Sequence, residues 1–306
     1  MNEKLFDCIV IGGGAAGLNA ALVLGRSRRN TLIIDENQPR NRVTRESHGF
    51  LSRDGIKPEE FKKISLEQLK KYPNVRYDQD RVENVVKFAA AFEVTTKEGN
   101  VYRSKKVIFA TGMKDQLPSI KGLREVYGTS VFPCPYCDGW ERRDKKLAVF
   151  GNEEWLMHYV KMIYNWSKDL IVFTNGPAKI TGSEKKELME HGVQLVESPI
   201  VELQSTNGQL EKIVVKSGES FERTDGFILD TGETQASDIP FKLGVELNEM
   251  GGYKVSENRE TTIEGLYIIG DAKNTFSGLI MAASEGYELG ATINGEMVME
   301  EWEHTK

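Results

Sequence analysis

Three apolar runs that each end in a glycine turn and lead into a helical pattern predict an α/β protein of two domains, each a mostly parallel sheet in a three-layer arrangement with helices. The runs are Cys8–Ile11 before Gly12-Gly13-Gly14, "KKLAVFG" at 145–151, and "EGLYIIGD" at 264–271. At 306 residues the chain is long enough for two hydrophobic cores. Its 39% hydrophobic and 28% charged residues are those of an ordinary globular protein. A net charge of −6 argues against a nucleic-acid partner. The densest basic stretches, "GRSRR" (25–29) and "PRNRVTR" (39–45), suit local phosphate contacts or solvated loops. The 18 residues from Cys8 to Gly25 carry no charge, the length of a marginal membrane span. Glycines interrupt that run and the acidic Asp7 precedes it, so neither a span nor a signal peptide is expected. A reducing, cytoplasmic setting follows as the default.

The first run reads strand, glycine turn, helix, strand over 7–36. Gly12, Gly14 and Gly17 form the G-x-G-x-x-G spacing of a Rossmann-like dinucleotide site. Gly12 permits the tight turn, Gly14 lets a pyrophosphate approach the backbone, and Gly17 allows the helix to pack closely on the strand. Ala15 and Ala16 open the helix, whose N-terminal N–H groups face the phosphates. Asp35 and Glu36, at the end of the next strand, lie where an acid accepts ribose hydroxyls. The alternative is a glycine-rich turn without a ligand.

Two later segments extend this site. "KKVIFATGMKD" (105–115) is a buried strand ending in the small turn Ala110-Thr111-Gly112, and the third run ends in Gly270-Asp271 before a helical stretch. On these motifs the sequence resembles the flavoprotein reductases with two dinucleotide domains. The resemblance implies that the cofactor is FAD and that Asp271 binds its ribityl chain. It also implies that the following helix points its N-terminus at the flavin.

Two of the three cysteines, Cys134 and Cys137, stand in "VFPCPYCDGWE" (131–141). A zinc site needs four ligands. The remaining Cys8, His48, His158, His191 and His304 are not spaced to supply them, and Cys8 reads as a buried residue of the first core strand. A structural disulfide is disfavoured in a reducing compartment. A redox-active dithiol is the expectation, because a Cys-x-x-Cys turn before a helix favours one thiolate for disulfide exchange. Cys134-Pro-Tyr-Cys137-Asp138-Gly139 between two dinucleotide-type folds is similar to the low-molecular-weight thioredoxin reductases over nearly the whole chain. That resemblance implies that Cys137 faces the flavin, Cys134 meets the substrate and Asp138 handles protons. A helix cap is the plainer role for Asp138.

The second domain departs from those relatives. Its strand "KKLAVFG" runs into "NEEWLMHYV" (152–160), with Glu153 where the middle glycine admits the pyrophosphate. The next strand, "DLIVFT" (169–174), leads to Asn175-Gly176-Pro177 in place of a basic cluster for the NADPH 2′-phosphate. The fold is expected without the ligand. A divergent fingerprint that still binds nicotinamide is the alternative. "SHGFLSRDG" (47–55), the cysteine segment and the His158 segment resemble a branch of thioredoxin reductase-like flavoproteins without NADPH motifs. That branch includes the dithiol oxidases of holomycin- and gliotoxin-type metabolites, which pass electrons to oxygen, and neighbours flavin thioredoxin reductases fed by ferredoxin or an unknown donor. The oxidases usually carry histidine after the second cysteine, whereas this chain has Asp138, as the reductases do. His48 is read either as a proton shuttle near the flavin or as a loop histidine packed under Phe50. His158 is read as a surface or interface packing residue of the first helix of the second domain.

The FAD domain is thus expected to be discontinuous, 1–114 plus 242–306, with a smaller NAD(P)H-binding-like domain inserted at 115–241. Within the insert, strands are expected near 146–150, 169–174, 193–196, 210–216 and 226–230. A helix (58–71) and one hairpin (82–105, turning at 98–100) are expected between the first fingerprint and Thr111. The expected function is FAD-dependent thiol–disulfide exchange between the Cys134/Cys137 pair and a small dithiol or a thioredoxin-like protein, with no use of NADPH. NADPH- or ferredoxin-fed reduction of thioredoxin is the alternative, and a non-catalytic flavin redox sensor is a third reading. The resemblance further implies a homodimer.

Overall fold

The computed structural model describes residues 5–304 and divides the chain into two compact units. The first unit comprises the chain up to Arg42, Phe50–Lys114 and the chain from Thr234 onward; the second comprises Val43–Gly49 and Asp115–Glu233.

Strand β1 (Leu5–Ile11) leads to helix α1 (Ala15–Arg26) and β2 (Thr31–Ile34). Helix α2 (Pro58–Leu69) begins with proline at its first turn beside Glu59 and Glu60, residues that suit the positive end of a helix. Strands β3 (Val75–Asp78), β4 (Val82–Phe88), β5 (Ala91–Thr96), β6 (Val101–Phe109) and β7 (Met113–Lys114) follow. The single hairpin expected over 82–105 is instead a three-stranded meander. It turns a first time at Ala89, which takes a positive φ of 50°, and again at Gly99.

The second unit contains α3 (Leu123–Val126), β8 (Val131–Phe132), α4 (Pro135–Asp138), β9 (Leu147–Phe150), α5 (Leu156–Ile163), β10 (Leu170–Phe173), α6 (Gly182–Glu190) and β11 (Gln194–Val196). It continues through β12 (Ile200–Thr206), β13 (Gln209–Val215), β14 (Ser220–Glu222) and β15 (Asp225–Ile228). The chain then returns to the first unit with β16 (Thr234–Gln235), α7 (Ile239–Lys242), β17 (Leu266–Ile268), α8 (Asp271–Asn274) and α9 (Leu279–Glu303).

In the first unit the strands run β3-β2-β1-β6-β5-β4. Strand β6 changes partner along its length: Val101–Ser104 pairs antiparallel with β5, and Val107–Phe109 pairs parallel with β17. Strand β1 is buried on both faces, as a central parallel strand must be. Ile9 and Ile11 join one core cluster while Cys8 and Val10 join the other. Helices α1 and α9 cross closely, because a Cβ on Gly286 would lie 2.1 Å from Ala16 O.

In the second unit a parallel sheet, β11-β10-β9-β15-β8, sits with a separate antiparallel sheet, β12-β13-β14. Strands β12 and β14 were not among the expected ones. Their residues alternate polar and apolar only weakly, with Leu203 the one fully buried side chain of β12. Residues 234–241, expected in the insert, lie in the first unit: β16 pairs with β7, and Ile239 belongs to the first unit's core. Residues 43–49 lie in the second unit, where a Cβ on Gly128 would meet Val43 O at 2.5 Å.

Candidate active site

In the first unit the predicted nucleotide residues gather at one edge of one sheet. Ile34, Ile11, Phe109 and Ile268 are in register across β2, β1, β6 and β17. Asp35, Gly12, the Ala110-Thr111-Gly112 turn and Gly270-Asp271 therefore leave the sheet at its carboxyl edge, where open α/β sheets bind ligands.

The glycines of the turn have different reasons to be there. Gly12 takes φ +107°, and a Cβ on it would stand 2.4 Å from Ala110 O. A Cβ on Gly17 would stand 2.0 Å from Gly12 O, so the helix can start here only without a side chain. Gly14 has an ordinary φ of −77°, and a Cβ there would meet no protein atom within 4 Å. Neither strain nor packing explains Gly14; open space beside it for a ligand does. Among the described residues no side chain caps α1 at Gly14, which leaves its first N–H groups for an anion. Thr111 Oγ1 is buried without a hydrogen-bond partner among the described residues, an orphaned polar atom that a ligand hydroxyl or phosphate would satisfy. These features fit a dinucleotide.

Asp35 and Glu36 do different things. Asp35 is buried, and its Oδ1 accepts the Gly13 N–H at 2.9 Å. Its Oδ2 accepts from the Tyr77 hydroxyl at 3.0 Å and from Lys62. Both oxygens thus hold the glycine turn and α2. Glu36 is exposed, with Arg81 at 3.9 Å, and takes no part in holding the turn. At the third motif, Gly270 takes φ +68° and donates its N–H to Glu285 at 2.7 Å. Asp271 Oδ1 accepts from Ser277 Oγ at 2.7 Å. Burial raises the Asp271 carboxyl, opposed by Ser277 and Arg40.

The other predicted group lies in the second unit. Cys134 and Cys137 form a disulfide with Cα atoms 5.3 Å apart. Cys134 precedes Pro135 and caps the short α4, its sulfur accepting the Cys137 N–H at 3.1 Å. The cap is therefore Cys134, and Asp138 closes the helix. Asp138 is buried, and that burial pushes its carboxyl up to about 6 against the opposing pull of Arg142 and His48, while Glu141 adds to the rise. His48 joins this group within the second unit, with Nε2 3.7 Å from Glu46 and 3.8 Å from Glu141. Arg142 lies over the Phe132 ring at 4.0 Å and 3.5 Å from the buried Asp225. Tyr159 supports the turn by donating to Pro133 O at 2.8 Å. Sequence reasoning missed Glu141, Arg142 and Tyr159, which carry no motif. Cys8 is fully buried, and burial raises its thiol far above the ordinary range, as for an inert core residue. His158 is exposed on α5, edge-on to Trp155.

The second glycine turn is filled by its own residues. Asn152 donates to Pro177 O at 2.9 Å and accepts the Lys179 N–H at 2.8 Å, while Lys179 Nζ lies 3.2 Å from both oxygens of Glu153. Asn175 takes φ +52° and accepts the Ile200 N–H.

Comparison with known proteins agrees with these observations. The family model described as pyridine nucleotide-disulphide oxidoreductase matches residues 6–288. A protein named probable thioredoxin reductase from Arthroderma benhamiae is 31% identical over 304 residues, spanning 89% of this chain and 75% of its own. The crystal structure of a putative thioredoxin reductase TrxB from Bacillus anthracis is 41% identical, superimposes with a TM-score of 0.93, and is matched over 97% of this chain and 99% of its own. The crystal structure of HlmI also gives 0.93, at 27% identity over 98% and 95% of the two chains. The chain belongs to the pyridine nucleotide-disulphide oxidoreductase family and is a thioredoxin reductase-like oxidoreductase.

Proposed function

We propose that the protein is an FAD-dependent thiol–disulfide oxidoreductase that works through Cys134 and Cys137 without NADPH at its second unit. The observation that carries this reading is the disulfide in a tight turn beside a buried carboxyl near neutrality. Gly12, Gly14–Gly17, Glu36, Thr111, Gly112, Gly270 and Asp271 would hold FAD. When bound, FAD supplies a two-electron carrier for the cysteine pair.

In the oxidase direction a substrate thiolate attacks Cys134 Sγ and breaks the S–S bond. Asp138, whose carboxyl burial lifts to about 6, takes the proton of the attacking substrate thiol and passes it to the Cys137 thiolate as that leaves. In the disulfide the Cys137 N–H already donates to the Cys134 sulfur that is attacked. A second substrate thiol attacks the sulfur of its own mixed disulfide and releases Cys134. The substrate loses two electrons and the pair gains them. Oxygen is the acceptor this reading favours, because Asn152, Glu153 and Lys179 close the second turn. One observation favours the reductase direction, with ferredoxin or NADPH as donor and a thioredoxin-like protein as substrate: Asp138, not histidine, follows Cys137. A cytoplasmic homodimer is the setting that the resemblance to the low-molecular-weight reductases supports.

Anaerobic addition of NADPH and, separately, of dithiothreitol to the yellow protein tests the reading through the flavin absorbance. Bleaching by dithiothreitol, reversed by air, is expected. Rapid bleaching by NADPH would overturn the closed second turn. Cys137→Ser should trap a mixed disulfide on Cys134; trapping only with Cys134→Ser would exchange the two roles.

A further inference from the structure

The Gly270–Asp271 motif is held from outside by side chains that neither its sequence pattern nor the family match assigns. On one side, Glu285 of α9 accepts from Gly270 N–H, from Asn274 Nδ2 at 2.9 Å, and pairs with Lys273 at 2.8 Å. This fixes the backbone of the turn. On the other side stands Arg40, in the basic stretch that follows β2. Its Nη1 lies 3.7 Å from Asp271 Oδ2 and donates to Thr275 O at 3.0 Å. Its guanidinium carbon sits 5.2 Å from the Phe276 ring centroid. The Arg40 side chain is only 15% exposed, which is low for an arginine outside a core.

Thr275 gives this contact added weight. It takes φ +64°, a left-handed conformation that a β-branched residue seldom adopts, and it is buried. Such conformations persist where surrounding contacts over-determine them, and they cluster at ligand sites. Arg40 supplies one of those contacts. A carboxylate offers about four acceptor positions. Ser277 bonds that of Asp271 through both its hydroxyl and its backbone N–H, and Arg40 faces Oδ2, which leaves an acceptor position for a hydroxyl donor.

We propose that Arg40 is a positioning residue for the cofactor: it orients the Asp271 carboxylate and fixes the 275–276 turn, so that the ribityl hydroxyls of bound FAD meet a preformed acceptor. The proposal rests on the FAD reading above. An arginine suits the task because its rigid guanidinium lies by the Phe276 ring and holds Nη1 between the Thr275 carbonyl and the Asp271 carboxylate, whereas a lysine is a flexible point charge.

The test uses apo-protein, FAD titration followed by flavin fluorescence, and thermal melts. Arg40→Gln is expected to weaken FAD binding roughly tenfold or more, the usual loss for a charge-assisted contact. Arg40→Lys should recover part of that loss while its apo-protein melts at the wild-type temperature. Asp271→Asn should weaken binding at least as much as Arg40→Gln. The double variant should be little weaker than Asp271→Asn alone, the non-additivity of a residue that acts through another. Additive losses would overturn the proposal by placing Arg40 on the cofactor itself. Unchanged FAD affinity in Arg40→Gln would overturn it outright. A wild-type protein that takes up no FAD would sink the FAD reading and the proposal with it, an outcome seen before any variant is made.

Discussion

The turn after β1 and the turn after β9 start alike and end differently. Each follows a buried parallel strand with a glycine, Gly12 in one and Gly151 in the other. After β1 the helix begins at Ala15, and its N-terminus is left uncapped beside open space. After β9 the helix begins only at Leu156, and Asn152 and Glu153 tie the intervening loop to Pro177 and Lys179. Counting from the strand ends, Glu153 stands where Gly14 stands and the buried Leu156 where Gly17 stands. The same strand can therefore feed a ligand cradle or a latched loop. The side chains of the few residues after the first glycine decide which. The second unit keeps the layered fold and carries a dithiol on it.

The largest effect expected from breaking this contrast is at Gly17. Gly17→Ala puts a methyl against Gly12 O, with no flexible neighbour to yield, and should cost about 3 kcal/mol or more. Chemical denaturation of the apo-protein reads it. Leu156→Ala, at the matching step of the second turn, should cost about 2–4 kcal/mol through a cavity. Next comes Gly14→Glu, which imports the second turn's side chain into the first. The fold has room for it, so the apo-protein should melt normally. FAD affinity should fall on the order of a hundredfold, because a carboxylate replaces the phosphate's space and repels it. A melt that collapses together with affinity would show that Gly14 serves packing after all.

Asp138 gives a smaller effect, and one that depends on pH. Burial lifts its folded carboxyl from 3.8 to about 6, so the folded state binds this proton more tightly than the unfolded chain. The stability linked to that proton is complete below pH 3.8, is lost as pH rises through 6, and stays lost above it. Wild type should lose roughly 2–3 kcal/mol at this site between pH 4 and pH 7, and Asp138→Asn should not. The variant should be the more stable protein near neutrality while losing about a hundredfold in dithiol turnover. Equal pH dependence of the two melts would count against the buried carboxyl. The smallest effect is expected from Glu153→Gly. Its ion pair is exposed, so stability should change by no more than about 0.5 kcal/mol. The change also releases Lys179 from its ion pair, yet NADPH binding, followed by calorimetry, should remain absent, because the Asn152 contacts to Pro177 and Lys179 N–H still close the loop. Recovery of binding would mean that the side chain at that one position closes the site.

Much of this could be read from the sequence because it is local. The G-x-G-x-x-G spacing and the Cys-x-x-Cys pair encode a turn and the start of a helix within a few residues, and both turns stand where the sequence put them. The features that escaped are set by distant contacts. Asp35 and Glu36 look equivalent in sequence; Tyr77 and Lys62, from β3 and α2, bind the first and leave the second exposed. Strand β12 has too weak an alternation to announce itself, and its pairing with β13 makes it a strand. Residues 43–49 carry no pattern that assigns them to the second unit, yet they bring His48 to Glu141. The raised Asp138 carboxyl depends on burial, which no spacing encodes.

The close crossing of α1 and α9 bears on when the cradle can come into being during synthesis. Gly286 of α9, which packs on α1, and the strand β17, which completes the edge beside β6, are supplied by residues 266–303. A growing chain presents the glycine turn near its beginning but cannot brace that turn until these last described elements have emerged. The inserted unit, continuous from Asp115 to Glu233 apart from the 43–49 segment, is fully translated before then. The cradle is thereby complete only once residues 266–303 have been made, later than the dithiol's own scaffold.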